Sequence, residues 1–208
     1  MANKEPQTSP DMIERFISKI TLEWSTNSDH AGLFEMRCLG EHRTPVIQRF
    51  APDAVHDAVD FAVQMNKVRL NIYMTINPID INASIRAGKG ATDTDILRAH
   101  YNFADADDEQ GLEGLTDLST LIEPEMVIIT GTTPQQRQHA YWSLTKPCED
   151  LELWRSKQVA IAARCGTDPS VVNPSRIMRV AGTVSYPNKA KQNKGYIPEL
   201  VNMHVRAE

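Results

Sequence analysis

An α+β fold is what this sequence predicts, on three observations. Segments with helical apolar spacing are mixed with segments of two-residue alternation, but without the regular strand–helix–strand rhythm of a parallel sheet. The 208 residues suffice for one good-sized core or two small lobes. No internal repeat or low-complexity tract interrupts them.

The elements follow in order. MANKEPQTSP has no apolar signal core and reads as a short flexible lead-in over residues 1–10. SPDMIERFISKI opens a helix: Ser9 suits the cap, Pro10 suits the first turn, and Met12, Phe16, Ile17 and Ile20 share a face. GLFEMRCLGEHRTPVIQRF reads as a β-hairpin turning at Gly40-Glu41-His42. APDAVHDAVDFAVQMNK is an amphipathic helix with Val55, Ala58, Val59, Ala62 and Val63 on its stripe. RLNIYMTINPI is a strand with Leu70, Ile72, Met74 and Ile76 on one face, ended by Pro78. Residues 79–96 form a long polar connection, a length that marks a functional or mobile loop. In it, Arg86 and Lys89 beside Gly88 and Gly90 are either phosphate contacts or solvated charges; the spacing is not that of a Walker A loop.

LRAHYNFADAD is then a strand, GLEGLTDLSTLI a helix, and EMVIITG and RQHAYWSL a pair of strands. DLELWRSKQVAIAARCG is a helix that stops at Gly166. NPSRIMRVAGT is either a short helix start or a strand lead-in.

Composition narrows the function classes. A mean hydropathy of −0.39 and apolar runs far short of a bilayer span exclude a helical membrane protein. Cys38, Cys148 and Cys165 are odd in number and form no CxxC, so reduced thiols in a cytoplasmic protein are expected. A net charge of −5 argues against a mere coat for nucleic acid. Yet residues 137–208 hold 11 Lys and Arg against 6 Asp and Glu, leaving 11 against 21 for the rest. This basic third is either a solvated face or a phosphate-facing one.

Three stretches can carry chemistry. In HYNFADADDEQG, strand alternation sends Asp105 and Asp107 to one side and Ala104 and Ala106 to the other. Two carboxylates at the end of a stiff strand chelate hard cations such as Mg²⁺, or else form an acidic turn; Asp108 and Glu109 belong to the first turn of the next helix. In TGTTPQQRQHAYWSL, Arg137 and His139 lie in phase and can both reach a phosphate, while Gln138, Ala140, Trp142 and Leu144 face a core. In GTDPSVVNPSRIMRVAGTVSYPNKAKQ, Asp168 is a turn acid or a cap. There, Arg176 and Arg179 share a face if helical, and Lys189, Lys191 and Lys194 are solvated or face nucleic acid.

The order of these motifs resembles the archaeo-eukaryotic primase superfamily, in the primase-polymerase branch encoded by phages, plasmids and integrated elements. The likeness runs from about residue 30 to 200. It rests on the DxD pair after an apolar strand, the His before an aromatic strand, and an Asp followed by PSRIMRVAGTVSYPNK, which looks like that branch's Arg-x-x-Arg-x-x-Gly-Thr signature with a downstream Lys.

The resemblance implies a single domain over 11–205: an N-terminal α/β unit of about 11–97 packed with an RNA-recognition-motif-like catalytic sheet of about 98–205. It implies Asp105 and Asp107 as metal ligands with Asp168 as the third acid, two Mg²⁺ or Mn²⁺ ions, His139 on the nucleotide phosphates, and Arg176 and Arg179 near nucleotide or template. The implied activity is that of a DNA primase and template-dependent DNA polymerase. Its partners would be NTP or dNTP, a single-stranded template and a helicase in the same or a neighbouring chain. Two positions depart from the pattern: TGTTPQQRQ replaces a Ser- and Gly-rich turn, making Arg137 a substitute phosphate contact, and Ala181 replaces the usual Pro. The rival readings are a non-catalytic single-strand-binding initiator module and another DxD enzyme, such as a sugar transferase or nuclease.

Overall fold

The computed structural model describes residues 5–25 and 32–206; the start of the expected lead-in, residues 1–4, lies outside them. The expected hairpin forms, as β1 (Phe34–Leu39) and β2 (Val46–Phe50), and β3 (Asn71–Thr75) pairs antiparallel with β1. Helices α1 (Pro10–Ser25) and α2 (Val55–Lys67) pack on one another, and α2 packs on β1 and β3. On α1 the buried stripe is Ile13, Phe16, Ile17, Ile20 and Trp24; Met12 sits at its margin.

A second antiparallel sheet holds β4 (Ala99–Ala106), β5 (Met126–Gly131), β6 (Arg137–Cys148) and β10 (Asn202–Val205), in the order β10-β5-β6-β4. Helices α3 (Glu109–Leu121) and α4 (Leu151–Cys165) pack on each other and on β4. The segment after α4 settles the helix-or-strand choice: β7 (Ile177–Arg179) crosses back to pair with β3, completing the first sheet as β2-β1-β3-β7. The short strands β8 (Val184–Ser185) and β9 (Glu199–Leu200) pair with each other and flank α5 (Lys189–Gln192).

One apolar core runs through both sheets. Met36, Ile72, Met74 and Met178 of the first share it with Tyr101, Phe103, Ile128 and Tyr141 of the second. Each large side chain so buried contributes about 1.5–3 kcal/mol. The opposite face of the second sheet, Ala104, Ala106, Ala140 and Trp142, packs with Leu115 and Cys165. Both faces of β6 are therefore covered. The His139–Tyr141 face, read from sequence as the one away from the core, is the one that points to the main core. The small alanines on the other side let the helices approach closely.

Among the described residues no strand lies beside the free edge of β4. Its outward backbone groups are satisfied by other means, as buried polar groups must be. Trp154 Nε1 donates to Tyr101 O at 2.9 Å. The buried Gln158 amide donates to Phe103 O at 2.9 Å and accepts from Phe103 N–H at 3.2 Å. The Asp168 N–H donates to Asp105 O at 3.1 Å.

The connection over 79–96 is built rather than loose. Ile79, Ala91 and Ile96 form a small core of their own, and Ile79 bridges to both Leu33 and Ile96. Asp93–Asp95 make one 3-10 turn closed by a capping box from Thr92 to Asp95.

Candidate active site

The end of β4 brings its acids to a cavity of about 270 Å³ between the two sheets. Asp105, Asp107, Thr130 and His139 line it from the second sheet; Leu39, Tyr73 and the segment Arg176–Arg179 line it from the first. The antiparallel register sets Asp105 directly opposite His139, and Tyr73 directly opposite Arg179. Side chains so paired share a face, which is why residues far apart in sequence meet here.

Asp105 is the centre of this arrangement. Its side chain is 18% exposed, and its buried Oδ1 accepts no hydrogen bond; His139 Nε2 lies 3.6 Å away. Burial first, and then the charge of Asp107, push its carboxyl up to about 7; Arg179 opposes this and Asp168 adds to it. His139 is pushed the other way, down to about 3, by burial and then by Arg179 and Arg176. It is therefore a neutral imidazole at neutral pH. The Tyr141 hydroxyl lies 3.3 Å from Nδ1, and burial holds the Tyr141 pKa well above its ordinary value. With that hydroxyl donating, the ring proton sits on Nε2, facing Asp105.

Asp168 is brought beside the pair by its backbone bond to Asp105. Its carboxylate accepts from Ser170 N–H at 2.8 Å and Ser170 Oγ–H at 2.9 Å, and lies 3.5 Å from Arg176. It is a turn acid whose backbone touches Asp105, and its side chain does not line the cavity. Among the described residues no three His, Cys, Asp or Glu side chains close into a cage for a metal. The donors nonetheless fit a hard divalent cation. A buried carboxylate oxygen with no protein partner, a second carboxylate two residues on and open space in front suit Mg²⁺ or Mn²⁺. Such ions take one or two carboxylates and complete their shells with water and phosphate.

Arg176 and Arg179 both reach the cavity, but as extended chain: Arg176 follows a turn onto Asn173 O, and Arg179 ends β7. The Arg179 guanidinium lies 4.8 Å from the Tyr73 ring centroid and donates to Asn71 Oδ1 at 2.9 Å. Of the three lysines, Lys191 lines the cavity, while Lys189 and Lys194 are exposed elsewhere. Arg137 does not line it. Its guanidinium is spent on Thr133 O, Gln135 O and Glu199, and it stacks over Tyr196 at 4.5 Å. Arg137 is held as a structural brace of the β5–β6 turn.

Tyr73 and Thr130 were not marked by motif. Alternation alone could not mark Tyr73: Asn71, Tyr73 and Thr75 form a polar or amphipathic face opposite the apolar one of β3, as in any strand with one solvated face.

Three solved structures share this architecture. The archaeo-eukaryotic primase domain of the cyanophage S-2L primase-polymerase superposes with a TM-score of 0.61 at 20% identity, covering 96% of this chain and 91% of that one. The chain has the primase-polymerase fold. The primase RepB′ matches with a TM-score of 0.61 at 14% identity, over 92% of this chain and 56% of that one. Its catalytic domain, in complex with initiator DNA, matches with a TM-score of 0.56 at 14% identity, over 91% and 84%. Neither a family model nor a curated protein sequence matches the chain. In the primase-polymerase fold as this chain builds it, the acids come from one sheet and most of the cations from the other.

Proposed function

We propose that this protein is a metal-dependent nucleotidyltransferase that makes or extends primers on a single-stranded DNA template. The observation that carries the reading is one cavity that Asp105 and Asp107 share with Arg176, Arg179 and Lys191. A site with acids on one wall and cations on the other suits a triphosphate that arrives with its counter-ions.

Asp105 and Asp107 would hold Mg²⁺ or Mn²⁺, with Asp168 beside them. Such ions, when bound, supply Lewis-acid stabilisation of charge on the attacking hydroxyl and the leaving pyrophosphate. The chain's own groups do the rest. Arg176, Arg179 and Lys191 bind and orient the phosphates, and fixed cations in a partly dry cleft favour the charge that develops there. Neutral His139 can offer a ring N–H to an anionic oxygen without adding a charge. Lys189 and Lys194 lie on the same exposed segment as Lys191 and would meet nucleic acid.

NTP or dNTP and a single-stranded template are the proposed partners, with a helicase in the same or a neighbouring chain. The setting would be replication of a phage, plasmid or integrated element in the host cytoplasm. The test is primer synthesis and extension on single-stranded DNA with Mn²⁺, wild type against Asp105→Ala/Asp107→Ala. Incorporation by the wild type and its loss in the variant is the expected result. Equal incorporation would end the reading, and salt-sensitive DNA binding without incorporation would turn it into that of an initiator module.

A further inference from the structure

We propose that Arg86 and Lys89, on the connection over residues 79–96, are a contact for the single-stranded template, set beside the catalytic cleft by an ion cluster centred on a buried glutamate. The inference rests on the reading above and adds to it a surface that the site does not include.

The register places the loop. On the face of the first sheet away from its helices, Arg37 of β1 lies directly opposite Tyr73 of β3, and Tyr73 lies directly opposite Arg179 of β7. Tyr73 and Arg179 line the cleft. With about 4.8 Å between strands, Arg37 stands roughly 10 Å from Arg179 on the same surface. The loop is bolted at that point. Glu35, fully buried, accepts from the Ala91 N–H at 3.1 Å and pairs with Arg37 at 2.6 Å and Arg49 at 2.5 Å. Arg37 in turn donates to Ala91 O at 2.8 Å, and Arg49 donates to Lys89 O at 2.6 Å.

Two guanidiniums, each about a quarter exposed or less, thus share one fully buried carboxylate beneath the loop, with Asp95 near the second of them. Gly90 permits the closeness: a Cβ there would fall 2.4 Å from the Arg37 guanidinium carbon. Gly88, at φ +72°, turns the tip with open space around it. At the far end Asp93 accepts from Ser175 N–H and Oγ–H and pairs with Arg155, fixing the loop to the residue before Arg176.

A long loop tethered to a buried carboxylate costs more to build than a solvated turn does. Its exposed charges are Arg86 and Lys89; its three acids, Asp80, Asp93 and Asp95, are half-buried and accept from Asn82 N–H, Ser175 N–H and Thr92 N–H. Cations carried by a loop that is anchored beside a phosphate-binding cleft suit the next phosphates of a strand whose end lies in that cleft. A single strand fits better than a duplex, because the aromatic and guanidinium surface between loop and cleft offers stacking to unpaired bases.

The experiment measures binding of a fluorescent single-stranded oligonucleotide by anisotropy across a salt series, together with primer extension, for the wild type and Arg86→Ala/Lys89→Ala. Two lost phosphate contacts predict about 25-fold weaker binding at 0.1 M salt, and a salt slope shallower by about 1.4. Extension should fall at low template concentration and recover at saturating template. An unchanged thermal midpoint shows that the variant is folded. If the wild type extends primers and the variant matches it in affinity and slope, the loop inference alone falls. If the wild type neither binds single strands nor incorporates nucleotide, the functional reading falls and takes this inference with it.

Discussion

Replacing Gln158 with Met should unzip the acid-bearing strand from its helix. Gln158 is 1% exposed and makes two bonds to Phe103 of β4, at 2.9 and 3.2 Å. Methionine keeps the length and shape of the side chain but offers neither donor nor acceptor. The Phe103 N–H and C=O would then be buried without partners, at about 1–3 kcal/mol each. Less amide to desolvate offsets about 1 kcal/mol, so the net loss is roughly 1–5 kcal/mol. For a domain of this size each kcal/mol shifts the midpoint by about 2–4 °C, so a fall of roughly 2–20 °C is expected in thermal unfolding followed by circular dichroism. Gln158→Glu sharpens the test. A protonated carboxyl can donate and accept as the amide does, whereas a carboxylate only accepts. Its deficit against wild type should therefore be small near pH 5 and grow toward pH 8. A Met variant within about 0.5 kcal/mol of wild type, or a Glu variant whose deficit ignores pH, would refute the claim that this side chain stands in for a neighbouring strand.

Three further outcomes follow from the same geometry. Asp105→Asn should stabilise the metal-free protein: a carboxyl raised to about 7 loses stability as pH climbs from its unfolded value, so the variant's advantage should grow from about 2 kcal/mol at pH 5 to about 4 kcal/mol at pH 8 in urea unfolding, and Mn²⁺ should raise the wild-type midpoint only. His100, buried and pushed down to about 4 by desolvation and then by Arg98, works in the opposite sense: its contribution is present above about pH 6.5 and is lost as pH falls, so His100→Gln should spare about 2 kcal/mol of the loss between pH 6.5 and 4.5. In Gly114→Ala, the new Cβ would lie 2.1 Å from Cys165 O, a backbone atom of α4; despite alanine's better helix propensity, a net loss of about 1–3 kcal/mol is expected, and an unchanged midpoint would show that the two helices can part freely.

Long periodic segments were legible in the sequence because one face of each must be apolar. The hairpin, both long helices of the first half, β4 and the pairing of β5 with β6 all announce themselves this way. So does the division at Asp105 and Ala104, since strand alternation allows no other. The short strands are another matter. β7 has three residues and is a strand only because β3 lies beside it; nothing in IMR carries a period, and two arginines three apart suggest a helix just as well. β8, β9 and β10 fail for the same reason. Arg137 shows the limit for site residues. Its phase put it beside His139, and its phase is right, but Glu199 lies 62 residues on and claims the guanidinium. The same holds for the 79–96 connection, which reads as loose because the buried glutamate that accepts its Ala91 N–H sits more than 50 residues earlier. Alternation reports which way a side chain points; it does not report what already waits there.

The return of β7 to the first sheet has a consequence for how the protein comes into being. Tyr73 and Arg179 become neighbours across 106 positions of chain. Until the later segment arrives, β3 is a bare rim with unpaired amides, open to any other polypeptide that offers a strand. The wall that would hold a triphosphate is thus among the last parts to close. During synthesis, the nascent chain would have no working cleft and its greatest tendency to aggregate at the same time, and a single closing step would remove both conditions.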